Sequence, residues 1–137
     1  MKFTSIEAIL LHDEDIKLKP YRDSRGKLTI GVGRNLDDIG ITEEEAYHLL
    51  DNDIVRVQDE AAQNFSWFQG LSSSRKIVIL SMIFNLGLAG FKNFKGMISS
   101  IEKDDFDKAA NEMLLSLWAK QVGQRAVVLS DMMRLNE

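Results

Sequence analysis

The stretch that follows the three serines at 72–74 leaves this chain few ways to fold. Those serines can cap a helix, and residues 77–84 would then place apolar side chains on nearly every face of it. A helix that is apolar all round has to be surrounded by other elements, as it is at the centre of a bundle. We therefore expect a buried central helix, packed among other helices, in the second half of the chain.

Signals for further helices lie on both sides of this central one. Two capping boxes, Thr4 with Glu7 and Thr42 with Glu45, predict a first helix of about two and a half turns and a second helix that reaches the low sixties. Shorter helices are expected at three places: after residues 87–90, after residues 104–105, and over roughly 124–135. The chain is therefore predicted to be mostly helical.

Between Lys17 and Asn35 the pattern changes to that of a small sheet. Proline and glycine punctuate β-prone residues there, and an Asp-Ser-Arg-Gly turn at 23–26 separates two alternating runs. Two such runs on either side of a turn predict a small antiparallel hairpin. The predicted class is α+β, mostly helical.

The order of these elements predicts one domain with two lobes. A chain of 137 residues is long enough for a single hydrophobic core and too short for a second domain. We expect a small lobe at about 13–58 that carries the hairpin, and a helical bundle lobe at about 59–137 joined by the N-terminal helix at 1–12. A groove is expected where the sheet faces the bundle.

Composition excludes several classes of function. The net charge of −4 and the pI of about 5.2 argue against nucleic-acid binding, because contacts to phosphates need a positive face. There is no cysteine and there are two isolated histidines, so we expect no metal site. The start lacks a secretory signal, and the apolar run at 77–86 has half of the ~20 residues that a bilayer demands. No signal peptide and no membrane span are therefore expected.

The densest group of ionisable residues, His12-Asp13-Glu14-Asp15, stands where the first helix should end. The carboxyl groups face the negative end of the helix dipole and one another, and both effects favour the protonated form that a general acid needs. A solvated acidic helix end explains the same pattern. Asp23 follows at the hairpin turn and Thr29 on the return strand, so two carboxyl groups and a hydroxyl could flank one glycosidic bond.

The spacing of Glu14, Asp23 and Thr29, with the last residue in a TIGVG hairpin, resembles the active-site signature of the phage-type lysozymes, glycoside hydrolase family 24. IGITEEEAYHLLDNDI is similar to the helix that connects the lobes in that family, and SMIFNLG is similar to its central buried helix. Four later signatures follow in the family's order: AGFKNF, DKAA, Trp118 with Gln121, and Arg125 with Ala126. The resemblance covers most of the chain and implies a lysozyme-like, two-lobed fold.

The resemblance also implies an activity, that of a muramidase. The substrate would be the β-1,4 bond between N-acetylmuramic acid and N-acetylglucosamine in peptidoglycan. By analogy Glu14 is the general acid, while Asp23 and Thr29 position the attacking water, with inversion at the anomeric carbon. Neither a metal nor a cofactor is implied.

Further residues match the family's supporting positions in the second half of the chain. Arg125 matches the arginine that reaches the catalytic glutamate and orients it. Asn85 stands where the family often places an amide facing the cleft, although an asparagine before Leu86 and Gly87 equally suits a helix C-terminus. Phe84, beside it, is a further candidate for contact with the substrate.

Two positions beside the hairpin depart from the pattern of some relatives. Where those relatives pair a histidine with an aspartate of the connecting helix, this chain has Arg34 and Asp53. We therefore expect an ion pair between Arg34 and Asp53, and we include the neighbouring Asn35 among the candidate supporting residues.

The absent signal and the resemblance together predict where the protein acts. A monomer is expected to accumulate in the host cytoplasm, to leave through a holin-type route, and to act on glycan strands of the bacterial wall. Because the chain is acidic and peptidoglycan is anionic, weak electrostatic steering of the substrate is expected. Two alternatives stay open: a non-catalytic wall-binding or structural relative of the same fold, and a lytic transglycosylase that uses a single acid.

Overall fold

A computed structural model describes residues 4–137 of the chain. Within them it contains seven α-helices, one short 3-10 helix at Phe68–Gly70 and one three-stranded sheet. The elements are α1 (Ile6–Asp13), β1 (Lys17–Arg22), β2 (Leu28–Gly31), β3 (Arg34–Asn35), α2 (Glu43–Asn64), α3 (Ser73–Lys92), α4 (Lys95–Glu102), α5 (Phe106–Leu114), α6 (Leu117–Val122) and α7 (Gln124–Leu135). The α+β, mostly helical, lysozyme-like class is confirmed.

The chain forms two compact units, of which the first ends at Leu49 and the second runs from Leu50 to Glu137. Helix α2 crosses this boundary. The sequence predicts a boundary near residue 58 and an N-terminal helix that belongs with the bundle. That division, and the groove between lobes, stays a prediction.

Local hydrogen bonds at the helix starts bear out most of the predicted caps. The Thr42 hydroxyl accepts from the Glu45 N–H at 3.1 Å, and the Glu45 carboxylate accepts from the Thr42 N–H at 3.0 Å, which completes the predicted capping box. At α1 the cap is one residue later than predicted, because the Ser5 hydroxyl, and not that of Thr4, accepts from the Ala8 N–H at 3.0 Å.

The sheet is antiparallel, with the strand order β1-β2-β3. Its register shifts between Lys17 and Tyr21, in the part of β1 that holds Pro20. Proline has no N–H to give to the ladder and is confined to irregular or edge positions of a sheet. Beyond that shift Tyr21 pairs with Thr29, and Thr29 pairs on its other side with Asn35. Thr29 therefore lies on the central strand.

Helix α3 forms the middle of the core of the second unit. Val78, Ile79, Met82 and Ile83 are at most 1% exposed. The prediction of burial on nearly every face was too strong, because Ile77 is 54% exposed and Phe84 is 47% exposed. One face of α3 is therefore exposed to solvent, and the opposite broad face packs into the hydrophobic core.

By length and composition alone, α3 could cross a membrane. Its apolar face is instead the one that packs into the core, and Gly87, with φ +77°, interrupts its helical geometry five residues before its end. Core helices share the composition of membrane spans. The absence of a membrane span stays a prediction.

Candidate active site

The three residues of the predicted catalytic set line one cleft of about 520 Å³ in the first unit. Glu14 enters it from the end of α1, Asp23 from the β1–β2 turn, and Thr29 from strand β2. The other lining residues are Tyr21, Arg22, Ser24, Arg25, Gly33 and Asn35. Elements that are up to fifteen residues apart thus bring two carboxyl groups and one hydroxyl to a common surface.

Glu14 is held by its backbone at the point where α1 ends. Its N–H donates to the carbonyl oxygen of Leu10 at 2.8 Å, while its own backbone is already extended, with φ −108° and ψ 123°. This change of direction turns the side chain away from the helix surface. The carboxyl group lies against the backbone of Gly33: a Cβ built on that glycine would be 3.2 Å from the Glu14 Cδ.

Asp23 closes the turn that carries it. Its Oδ1 accepts from the backbone N–H of Arg25 at 2.8 Å and from that of Lys27 at 2.9 Å. The bond from Lys27 is the largest cause of a lowered pKa of Asp23. Desolvation, the second-largest effect, opposes it, while the bond from Arg25 and the positive charges of both residues lower the pKa further. Asp23 is therefore ionised at neutral pH, with one oxygen fixed by the turn.

Thr29 is 3% exposed, and its hydroxyl donates to the carbonyl oxygen of Lys27 at 2.8 Å. A hydroxyl has a single hydrogen, so this bond leaves the lone pairs of Oγ1 as acceptors. The same turn therefore fixes both neighbours: the N–H of Lys27 orients Asp23, and its carbonyl orients Thr29.

In the cleft, Asp23 and Thr29 provide hydrogen-bond acceptors, and Glu14 provides a separate carboxyl group. A water molecule that donates one hydrogen to Asp23 and the other to Thr29 would keep a lone pair free for attack on an electrophilic carbon. An acid that protonates a leaving oxygen is the partner such a water needs in glycoside hydrolysis.

Asn35 lines the cleft, and its side-chain amide forms hydrogen bonds with the loop that follows β3. Its Nδ2 donates to the Asp38 carboxylate at 3.0 Å, and its Oδ1 accepts from the Asp38 N–H at 3.0 Å. Asp38 also pairs with Lys27 at 3.1 Å, and the hydrogen bond from Lys27 is the main cause of its lowered pKa. Asn35 is thus connected through Asp38 to Lys27, and the backbone of Lys27 in turn positions Asp23 and Thr29.

The ion pair expected between Arg34 and Asp53 is wrong. The Arg34 guanidinium binds the Glu45 carboxylate at 2.8 Å and donates to the carbonyl oxygen of Gly40 at 3.1 Å, whereas Asp53 pairs with Arg56 at 3.3 Å. Glu45 is available because the capping box already holds it at the start of α2. The guanidinium is the largest cause of the lowered Glu45 pKa, which falls to about 2.

Three further candidates lie in the second unit. The Asn85 Oδ1 accepts from the buried indole N–H of Trp118 at 2.8 Å, and Arg125 donates to the Ser81 hydroxyl at 3.3 Å. Phe84 is about half exposed. Their approach to Glu14 or to a substrate stays a prediction. Asn85 lies two residues before Gly87, whose positive φ interrupts the helical geometry of α3.

Sequence reasoning missed five residues of the cleft wall: Tyr21, Arg22, Ser24, Arg25 and Gly33. The pairing of Tyr21 with Thr29 across β1 and β2 could have been found from the hairpin turn, which fixes the register of both strands. The contact of Gly33 with Glu14 could not, because it depends on where α1 ends relative to the sheet.

Among the described residues, 4–137, no group of three or more His, Asp or Glu side chains is placed to hold a metal ion.

Comparisons with known proteins agree with the motifs. The model of the family described as phage lysozyme matches residues 12–134. Probable T4-type lysozyme 1 of Dictyostelium discoideum is 28% identical over 90% of this chain and 89% of its own length. The endolysin of Salmonella phage P22 is 29% identical over 81% of this chain and 78% of its own. The pre-baseplate central spike protein Gp5 of Enterobacteria phage T4 is 28% identical over 89% of this chain, which corresponds to 26% of that longer protein.

Proposed function

The chain belongs to the phage lysozyme family of peptidoglycan hydrolases, and we propose that it is a muramidase that cleaves the β-1,4 bond between N-acetylmuramic acid and N-acetylglucosamine. The observation that carries this proposal is the single cleft that Glu14, Asp23 and Thr29 line together. Hydrolysis of a glycoside needs an acid for the leaving oxygen and a second polar group for the nucleophile, and the cleft offers both.

Glu14 is the general acid in this mechanism. It is an exposed carboxyl group at a fixed helix end, so a glycan strand in the cleft can be reached without displacing other protein groups. Protonation of the glycosidic oxygen by Glu14 would release the leaving sugar as an alcohol while positive charge develops at the anomeric carbon.

Asp23 and Thr29 hold the attacking water. With Oδ1 of Asp23 used by two backbone N–H groups, its Oδ2 is the oxygen that accepts from water, and Thr29 Oγ1 accepts the second hydrogen. As the water attacks, its proton passes to the Asp23 carboxylate. Attack from the face opposite the leaving group inverts the configuration at the anomeric carbon, as in enzymes whose second carboxylate activates water.

The supporting roles follow from the same proposal. Arg125 would orient Glu14, Asn85 and Phe84 would contact the glycan, and Asn35 and Arg34 would keep the cleft wall in place through Asp38 and Glu45. The protein would work as a monomer without a cofactor. It would be made in the host cytoplasm and would reach the wall by a holin-type route.

The test is hydrolysis of purified peptidoglycan by the protein and its Glu14→Gln variant. Glutamine has the shape of glutamate but no proton to give, so we expect turnover to fall at least about a thousandfold while the unfolding midpoint stays unchanged. Asp15→Asn is the matched control, since Asp15 is the adjacent carboxyl group and does not line the cleft. Full activity of Glu14→Gln would remove Glu14 from the mechanism.

Product analysis separates the proposed reaction from its alternatives. NMR can show which anomer of the new reducing end forms first. Initial formation of the inverted anomer would support direct attack by a water molecule positioned by Asp23 and Thr29. Anhydro-sugars would instead indicate a lytic transglycosylase, and binding of peptidoglycan without any cleavage would indicate a non-catalytic relative. The last alternative is considered because one relative, named a pre-baseplate central spike protein, contains the matching region as 26% of its length.

Two substitutions of Thr29 test the water site itself. Thr29→Val keeps the shape of the side chain and removes the oxygen, so we expect kcat to fall about a hundredfold. Thr29→Ser keeps the hydroxyl and should retain most of the activity. Equal losses in both variants would argue against a role for the Oγ1 lone pairs.

A further inference from the structure

We propose that Gly33 is a positioning residue for the general acid: the absence of its side chain provides the space in which the Glu14 carboxyl group lies. This inference rests on the role proposed for Glu14 and adds a residue on which that role depends. Gly33 itself transfers no proton and holds no water.

The packing of the two residues is the first argument. A Cβ on Gly33 would be 3.2 Å from the Glu14 Cδ, 3.4 Å from its Cγ and 3.4 Å from its Oε2. Ordinary contacts of a methyl group begin at about 3.4 Å, so an added methyl would push the carboxyl group from its place by a few tenths of an ångström. Two of these atoms, Cδ and Oε2, belong to the carboxyl group itself.

The second argument is that Glu14 has no other restraint within its own unit. Among residues 4–49 its side chain has no hydrogen-bond or ion-pair partner, and its backbone N–H is the group that ties it to α1. An unrestrained glutamate side chain samples many rotamers, and contacts with neighbouring atoms have to exclude the unproductive ones. The backbone at Gly33 is the part of the cleft wall that the carboxyl group lies against.

Backbone conformation explains why a glycine stands there but does not explain the contact. Gly33 has φ +70°, a value that side chains other than that of glycine rarely adopt. Gly31, two residues earlier in the same turn, has φ +71° and has open space where its Cβ would be. The two glycines therefore have nearly the same φ and differ in what an added Cβ would meet, which at Gly33 is the side chain of Glu14.

This pair of glycines gives the experiment its control. Gly31→Ala and Gly33→Ala should lower the unfolding midpoint by similar amounts, because each forces alanine into the left-handed region. On peptidoglycan, Gly33→Ala should lower kcat about 10- to 100-fold with KM within about twofold, since a misplaced catalytic group costs this much without removing substrate contacts. Gly31→Ala should keep kcat within about twofold.

Asparagine variants at both positions keep the inference testable even if the alanine variants do not fold. Asparagine accepts positive φ more readily than alanine and still carries a Cβ. Gly33→Asn should therefore repeat the loss of kcat, and Gly31→Asn should not. Equal effects of the substitution at both positions, or a rise in KM at constant kcat for the Gly33 variants, would overturn the inference.

Failure of this inference and failure of the proposed function give different results. If Glu14→Gln is inactive and Gly33→Ala is fully active, Gly33 has no positioning role and Glu14 keeps its own. If Glu14→Gln is active, the acid has been assigned to the wrong residue, and any effect at Gly33 must arise elsewhere. A crystal structure of Gly33→Ala with an unmoved Glu14 side chain would also contradict the positioning role.

Discussion

The two units of this protein are stabilised by different physical means. Between residues 4 and 49, one residue is buried, and it is the polar Thr29. From Leu50 onward the buried residues form a continuous apolar core that includes Val78, Ile79, Met82 and Ile83. The unit with the candidate catalytic cleft therefore has little apolar core of its own.

Ion pairs and hydrogen bonds take the place of that core in the first unit. Asp37 accepts from the backbone N–H of Leu28 at 2.7 Å and pairs with Arg22 at 3.3 Å. The pairs of Lys27 with Asp38 and of Arg34 with Glu45 hold the loop that follows the sheet. Polar contacts of this kind depend on protonation and on salt, whereas burial of apolar surface does not. The candidate site should therefore respond to solution conditions more than the core does.

The chain's own aromatic residues allow the two units to be followed separately. Both tryptophans, Trp67 and Trp118, lie in the second unit, and both tyrosines, Tyr21 and Tyr47, lie in the first. Tryptophan fluorescence and tyrosine absorbance thus report on different units during unfolding.

The largest effect is expected from a cavity in the core. Ile79 is fully buried, so Ile79→Ala should lower the free energy of unfolding by about 3–4 kcal/mol through lost burial and an unfilled cavity. Denaturant unfolding followed by tryptophan fluorescence measures it. Ile77→Ala on the same helix, at a side chain that is 54% exposed, should cost much less. Similar losses for both would show that α3 is not the core helix described here.

A smaller effect, restricted to acidic solution, is expected from the ion pair of Arg34 with Glu45. The pKa of Glu45 in the folded chain is about 2, below its ordinary value of 4.5. Ionised Glu45 therefore stabilises the fold above pH 4.5, and this contribution is lost as the pH falls toward 2. Glu45→Gln should have a lower tyrosine-detected midpoint than the wild type near neutral pH, and the difference should vanish near pH 2.

The matched control for that prediction is Glu44→Gln. Glu44 belongs to the same first turn of α2, and its side chain is 87% exposed and 3.9 Å from His48. Its replacement should leave the pH dependence of the midpoint as it is. A Glu45→Gln variant that kept the wild-type pH dependence would show that this ion pair does not stabilise the first unit.

The smallest effect is expected from Arg25. Its positive charge is one of the weaker causes of the lowered Asp23 pKa, and the backbone N–H that contributes more is kept in Arg25→Gln. The acid limb of the pH profile of kcat/KM should therefore move to higher pH by a few tenths of a unit in ~10 mM salt, and the shift should disappear in ~1 M salt. Lys19→Gln, an equal change of charge on β1, should leave the limb in place. A shift that persisted in high salt would not be electrostatic.

How much could be foreseen depended on the sequence distance between partners. The capping box of Thr42 and Glu45 was predicted because both groups stand three residues apart, and the turn at Asp23 was predicted from its Asp-Ser-Arg-Gly signature. At α1 the same reasoning was wrong by one residue, because two adjacent hydroxyl residues, Thr4 and Ser5, can both cap a helix. Interaction partners separated by more than one turn of chain were harder to predict from the sequence. Arg34 binds Glu45 and not Asp53.

Local sequence determined the elements of this protein: the helices, the hairpin, the turn that fixes Asp23, and the motifs that place the chain in its family. Helical periodicity, caps and turns act over a few residues, so the sequence carries them directly. Tertiary structure decided what meets across larger distances: Asn85 with Trp118, Arg34 with Glu45, and Glu14 with the bare backbone of Gly33. Such contacts depend on the angle at which one element leaves another, and no local pattern encodes that angle.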